Sequence, residues 1–184
     1  MRHPFEAIPA GKRLTVLTPL LVLTLLLTVV MSQVGKQLIT PAAPNGMISF
    51  EFAWSVAGAR RIVESWNETA RLYAALSLGL DFLYLATYST TIGLACVWAT
   101  SVLRLRDWPL AWAGIPLAWG QWLAALLDAV ENVALIAVLL GPIVEPWPGV
   151  ALWCAALKFA LVLAGLLYIA HTFVAQLLLR LRRR

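Results

Sequence analysis

Four long apolar runs, separated by short breaks, constrain this chain more than any other feature. The run 14–32 holds 19 residues without a charge, and a transmembrane helix needs about 20 apolar residues. The chain is 61% hydrophobic and 12% charged, whereas soluble domains carry about 25% charged residues. Because no polar stretch is long enough to fold separately, we expect one domain, 1–184, in a membrane.

The breaks between the runs give the fold class and the helix boundaries. Prolines and an Asn-Gly pair interrupt 33–47, Asp107 with Pro109 starts a new helix, and three prolines fall in 141–149. A signal peptide ending at 41–43 is the alternative for the first run, but that run exceeds the usual 7–15 residues of a signal core. The sequence predicts an all-α, four-helix transmembrane bundle with a kink at Pro116 and helices at about 14–32, 71–102, 109–140 and 150–178.

The segment 48–66 has a different pattern from the four runs. Its apolar residues recur at helical spacing and its charges fall elsewhere on the wheel. This pattern predicts an extracytoplasmic amphipathic helix between the first two spanning helices. It either lies on the membrane surface or packs against the bundle as a helical hairpin.

Basic residues at the segment ends predict the orientation. The leader 1–13, the connection 104–106 and the tail 180–184 are rich in Arg and Lys, whereas 141–149 has neither. By the positive-inside rule both termini are cytoplasmic. The net charge of +5 therefore indicates topology anchors, not nucleic-acid binding. We expect a multi-pass protein of a bacterial inner membrane.

Polar side chains interrupt the second, third and fourth runs. In the second run, Asp81, Tyr84 and Tyr88 stand at i, i+3 and i+7, spacing that places them on one side of a helix. The third run carries a comparable stripe and the fourth a single lysine. The resulting candidate site residues are Asp81, Tyr84, Tyr88, Gln121, Asp128, Glu131, Asn132 and Lys158.

Depth suggests that these residues form one site. Asp81, Asp128 and Lys158 each lie 22 or 23 residues from a basic residue at the cytoplasmic end of their run, or about 33–35 Å along a helix. Charged residues at this depth usually face protein or water. We assign Asp128 and Glu131 as the main binding or protonation groups, with Asp81 as third acid and Lys158 as counter-charge. The tyrosines would orient a ligand.

A purely structural interpretation stands beside this one, since polar groups between membrane helices also stabilise packing. Three carboxylates against one lysine favour a ligand or proton site, because the surplus acid needs a cation or a proton. Arg60, Arg61 or Arg71 would be a further basic partner and make the segment 48–66 a lid, with Glu51 and Glu64 at its rim. His3 should be solvated. Trp119 and Trp122 either line a pocket or pack against lipid, and packing is favoured. With no Glu-x-x-His motif, no metal or cofactor is predicted.

Three stretches carry a family resemblance: TPAAPNGMISFEFA at 40–53, SLGLDFLYLATYSTT at 77–91 and LLDAVEN at 126–132. Together they resemble an uncharacterised bacterial family of small multi-pass membrane proteins, with no known function to carry over. The four-helix size is also similar to that of small multidrug-resistance transporters, which work through a membrane carboxylate. Those chains are shorter, and their motif does not match Asp81 or Glu131.

The leading functional hypothesis is binding, and as an extension translocation, of a small cationic or amphipathic ligand or a proton at an acidic site near the outer side. The first alternative is a non-catalytic accessory subunit of a larger membrane complex or homo-oligomer. The second is a membrane-embedded enzyme with an Asp/Glu acid–base pair acting on a lipophilic substrate. Enzymatic activity is the less favoured of these. Expected partners are the bilayer and such a ligand or complex, not nucleic acid.

Overall fold

A computed structural model describes residues 2–181 of this chain, and most of these residues are helical. Two short helices lie between the first and the second long helix. The basic residues 182–184, on which the orientation argument partly depends, lie outside the described residues. The helices are α1 Arg13–Gly35, α2 Met47–Glu51, α3 Val56–Ser65, α4 Glu68–Arg104, α5 Gly114–Leu140 and α6 Trp147–Leu181.

The four long helices, α1, α4, α5 and α6, are long and apolar enough to cross a membrane. This confirms the prediction that the described chain is all-α and has four helices of membrane-spanning length and apolarity. We call the end of the bundle with the leader and the α4–α5 connection the leader end. The opposite end, with α2, α3 and the α5–α6 connection, is the loop end.

The long helices do not pack equally. Helix α5 lies between α4 and α6 and packs extensively on both, whereas α1 packs against α4 and has little contact with α6. Of the residues of α1, Arg13 and Thr24 are buried. Most of the apolar surface of α1 is therefore exposed, and α1 is held mainly by α4.

The loop end is covered by α2 and α3, which share an apolar core with α4 and α5. Trp66 is 2% exposed; its Nε1 donates a hydrogen bond to the Leu38 carbonyl at 2.9 Å, and its ring packs on Phe50. The segment 48–66 is thus two helices and not one. Ser55 begins the second, its Oγ accepting a hydrogen bond from the Gly58 amide. Of the two placements considered, the structure has the packed hairpin.

Three helix starts differ from the sequence prediction, and the start of α6 at Trp147, not near 150, is one of them. Helix α4 begins at Glu68 and not near 71, because the Asn67 side chain caps the Ala70 amide. Helix α5 begins at Gly114 and not at 109, because Leu110 has a φ of 65°, outside helical geometry. Pro116 consequently falls in the first turn of α5, where its missing N–H is harmless. The predicted kink at Pro116 was wrong.

The leader is packed against the helices, so the expectation of a solvated His3 was also wrong. The His3 side chain is 1% exposed, and its ring lies 4.8 Å from the rings of both Trp119 and Trp122. Phe5 contacts Trp122 as well. The two tryptophans thus pack against the chain's own N-terminal segment.

Candidate functional site

The candidate site is built around Lys158 of α6, which reaches into the interface with α5. Its Nζ donates a hydrogen bond to Asp128 Oδ1 at 2.6 Å and lies 2.8 Å from Glu131 Oε2. Asp128 and Glu131 are one helical turn apart, which places both carboxylates on the same face of α5. Each of the three side chains is at least nine-tenths buried. One ammonium therefore bridges two carboxylates inside the bundle.

Helix α4 contributes the hydroxyl and carboxylate groups on the other side of this cluster. Tyr88 Oη donates to Asp128 Oδ2 at 2.9 Å, and Asn132 Nδ2 donates to Asp81 Oδ2 at 2.6 Å. Tyr84 lies beside Tyr88, with ring centroids 5.3 Å apart. The i, i+3, i+7 spacing on α4 thus corresponds to a shared polar face.

Glu51, at the end of α2, enters the cluster from the loop end. Its Oε2 lies 4.0 Å from Lys158 Nζ. Burial raises the pKa of Glu51 above its ordinary value, while the nearby Lys158 ammonium acts in the opposite direction. The next residue, Phe52, stacks on Phe159 with ring centroids 5.9 Å apart. Helix α2 therefore supplies a fourth acid and an aromatic cover.

The charges of the cluster do not balance. The carboxylates of Glu51, Asp81, Asp128 and Glu131 face the single ammonium of Lys158. Among the described residues, Glu131 Oε1 and Glu51 Oε2 are buried without a hydrogen-bond partner. Buried polar atoms normally have one. The cluster thus has unused acceptors and a surplus of acid.

A half-open cavity of about 390 Å³ adjoins the cluster. Its polar end carries four of the acidic and basic groups and two tyrosines. Its other walls are apolar or carry threonine. The lining residues are Leu21, Thr24, Leu25, Thr28, Met31, Glu51, Asp81, Tyr84, Tyr88, Thr91, Ile92, Asp128, Lys158, Phe159, Val162 and Leu166.

The apolar part of this cavity is a crevice between α1 and α6, with α4 as its floor. From α1 it is lined by one helical face, 21–31, on which Thr28 Oγ1 donates to Tyr84 Oη at 3.2 Å. From α6 it extends from Lys158 to Leu166, a rise of about 12 Å. Because α1 and α6 have little contact, the two helices leave the crevice open between them.

Some predicted site residues lie away from the cluster. Gln121 is seven residues before Asp128, or about 10 Å along α5, and its Nε2 donates to the Leu161 carbonyl at 2.9 Å. The proposed lid residues Arg60, Arg61 and Glu64 are exposed on α3 and take part in no ion pair among the described residues. The group that reaches the cluster from this segment is Glu51, one of the two acids expected at the rim.

No protein-family model, curated protein or solved structure matches the chain. Within residues 2–181, no group of three or more His, Cys, Asp or Glu side chains is arranged to hold a metal ion. The interpretation of the site consequently rests on its own geometry.

Proposed function

We propose that this protein binds an amphipathic cation, with the charged head at the acidic cluster and the apolar chain in the crevice between α1 and α6. The observation that carries the proposal is the shared cavity, in which surplus carboxylate adjoins an apolar wall. An acidic site without an apolar wall would suit a metal ion, and an apolar crevice without charges would suit a lipid tail. The combination suits a molecule with both parts.

Recognition of the head is assigned to Asp81 and Glu51. Asp128 and Glu131 are already bridged by Lys158, whereas Asp81 has a neutral hydrogen-bond donor, Asn132. Glu51 lies at a longer 4.0 Å from the ammonium. Two carboxylates without a short ion pair can therefore attract a cation, and Tyr84 and Tyr88 offer aromatic faces for cation–π contact.

Entry of the ligand is assigned to the α1 side. Since α1 is held mainly by α4, a small outward movement of α1 would widen the crevice without disturbing the α4–α5–α6 core. A ligand dissolved in the bilayer could then enter laterally. Its apolar chain would lie alongside α1, and its charged head would point toward the loop end. Translocation of the ligand would require a second opening and is a further step of this hypothesis.

The test is a binding measurement in lipid nanodiscs with radiolabelled dodecyltrimethylammonium, after subtraction of empty discs. Saturable binding to the wild type is expected. Tetramethylammonium, which lacks the chain, and dodecanoate, which has the opposite charge, should compete poorly. Asp81→Asn keeps the shape and removes one charge, so it should weaken binding by about tenfold or more.

Glu64→Gln is the matched control, because it removes the same charge from an exposed position on α3. It should bind like the wild type, and both variants should melt like the wild type. Equal affinity of Asp81→Asn and wild type, or equal competition by dodecanoate, would overturn the assignment. Absence of any saturable binding would instead favour the accessory-subunit hypothesis.

The membrane orientation is part of the same proposal. Arg and Lys at the leader end support a cytoplasmic location for both termini in a cell membrane, with the acidic cluster nearer the outer side. A membrane-impermeant thiol reagent applied to cells should label Lys36→Cys and spare Lys12→Cys. Both variants are made in a background with Cys96 and Cys154 replaced by Ala. The reverse labelling would contradict this orientation.

A further inference from the structure

The leader end holds a second group of charged residues, which the acidic cluster does not involve. Arg2, Arg13, Arg104 and Glu6 line one cavity there. The Oε2 of Glu6 accepts a hydrogen bond from the His3 amide at 2.8 Å, and its Oε1 lies 4.0 Å from Arg104 Nη1. Three arginines and one carboxylate at the same cavity leave a positive surplus.

Arg13 is the strongest indication that an anion belongs there. Only 9% of this residue is exposed, and its guanidinium donates to two neutral acceptors, the carbonyls of Ile8 and Glu6. No carboxylate among the described residues lies within ion-pair distance of it. A buried charge without a counter-charge is costly. An anion beside Arg13 would remove that cost.

The space for such an anion is present. Three cavities of about 370, 680 and 670 Å³ adjoin one another around Glu6 and Arg104. Arg13 lines the first and the third, and Arg2 the second and the third. The guanidinium groups thus face open volume that a ligand can occupy, and guanidinium binds phosphate through paired hydrogen bonds.

The surroundings favour a lipid as the source of the phosphate. The neighbouring connection between α4 and α5 exposes Leu105 at 86% and Trp112 at 71%, and Trp112 also lines the second cavity. Large apolar and aromatic side chains exposed at the end of spanning helices are typical of the lipid headgroup region. Basic pockets between membrane helices at this level bind anionic headgroups.

We propose that Arg2, Arg13 and Arg104 form a binding site for the phosphodiester of an anionic phospholipid at the leader end. The lipid phosphate lies against Arg104 and Arg2, with the Arg13 charge behind it, and the acyl chains extend along the outside of α4 and α5. Because Arg13 also holds the leader carbonyls, the bound lipid fastens the leader onto the bundle.

The test is a thermal-stability titration of the detergent-purified full chain with three probes. These are short-chain phosphatidylglycerol, short-chain phosphatidylcholine and inorganic phosphate. Phosphatidylglycerol should raise the Tm with saturation. Phosphatidylcholine, which has no net charge, should not, and phosphate should produce a much smaller rise. Saturation by phosphate at the same concentration would overturn the lipid assignment.

Variants distinguish this site from general attraction of anionic lipid to basic protein. Arg104→Gln should raise the apparent Kd for phosphatidylglycerol about tenfold. Arg104→Lys keeps the charge but lacks the planar guanidinium, so its Kd should lie between those of wild type and Arg104→Gln. Arg106→Gln removes the same charge two residues away, from an exposed side chain that lines none of the three cavities. It should change the Kd less than twofold. Equal changes in the Kd for phosphatidylglycerol in Arg104→Gln and Arg106→Gln would contradict a specific binding site. Arg13 is left intact because its substitution threatens the leader fold.

Discussion

Lys158 donates a 2.6 Å hydrogen bond to Asp128 in the interface between α6 and α5. The same Nζ lies 2.8 Å from Glu131, so one ammonium compensates two buried carboxylates on the neighbouring helix. In a low-dielectric interior, removal of one member of such a group leaves the others uncompensated. The interaction therefore stabilises the bundle only as long as it stays complete.

Lys158→Met tests this dependence. The change leaves Asp128 and Glu131 without their counter-charge, and we expect a loss of about 3 kcal/mol in the free energy of unfolding. Lys36→Met is the control, because Lys36 is exposed and bonds only to the nearby Gln33. Unfolding in mixed micelles should separate the two variants clearly. Equal stability would mean that the charged group does not hold α5 and α6 together.

Gly114 of α5 lies in tight contact with side chains of α4 and α6. A Cβ at this position would overlap Thr100 Oγ1 and lie 2.7 Å from the Tyr168 ring. Gly114→Ala should therefore destabilise the protein by about 1–3 kcal/mol. Gly79 on α4 has open space where a Cβ would lie, so Gly79→Ala should stabilise the protein by about 0.5–1 kcal/mol. Thermal melting of both variants checks the pair, and a neutral Gly114→Ala would disprove the close contact.

Glu51 should give the protein a pH-dependent stability. Burial raises its pKa above 4.5 in the folded protein, so the unfolded chain releases this proton at lower pH. The stability linked to Glu51 is therefore complete below pH 4.5 and is lost as pH rises through the raised pKa. Glu51→Gln stays neutral, so its Tm should exceed that of wild type increasingly as pH rises. Parallel Tm profiles of the two proteins would contradict this, and Glu64→Gln serves as the exposed control.

His3 should act in the opposite sense at the leader. Burial lowers the pKa of His3 below 6.5, although Glu6 partly opposes this. Docking of the leader is consequently stable above pH 6.5 and weakens as pH falls through the lowered pKa. Hydrogen exchange of residues 3–7, corrected for intrinsic rates, should accelerate at low pH in wild type. In His3→Phe, which has an aromatic ring that cannot be protonated, that acceleration should disappear.

The sequence identifies the long helices because mean hydropathy depends only on which residues are apolar. A run of spanning length is also long enough that a few polar residues do not change its mean hydropathy. Depth arithmetic along the helices likewise anticipates that Asp81, Asp128 and Lys158 could meet, since the rise per residue is constant. The contacts between Lys158 and Asp128 agree with that estimate.

The contacts that the sequence does not predict are those that depend on tertiary packing. Gln121 shares a face of α5 with Asp128 but forms its hydrogen bond to α6 at a different height along the helix. The helical face of a residue does not predict which positions along the helix border a cavity. The burial of His3 depends on tryptophans more than a hundred residues away. The entry of Glu51 depends on the break between α2 and α3, which turns a continuous amphipathic pattern into a hairpin.

The most direct test of the proposed function is to locate the bound ligand. An alkyltrimethylammonium probe with a photoreactive diazirine at the far end of its chain is irradiated with the protein in nanodiscs, and labelled peptides are identified by mass spectrometry. Labelling should concentrate on Leu25, Val162 and Leu166 in the crevice and be lost with excess unlabelled ligand or in Asp81→Asn. Equal labelling of the exposed Leu126 and Leu167, unchanged by competitor, would contradict binding in the crevice.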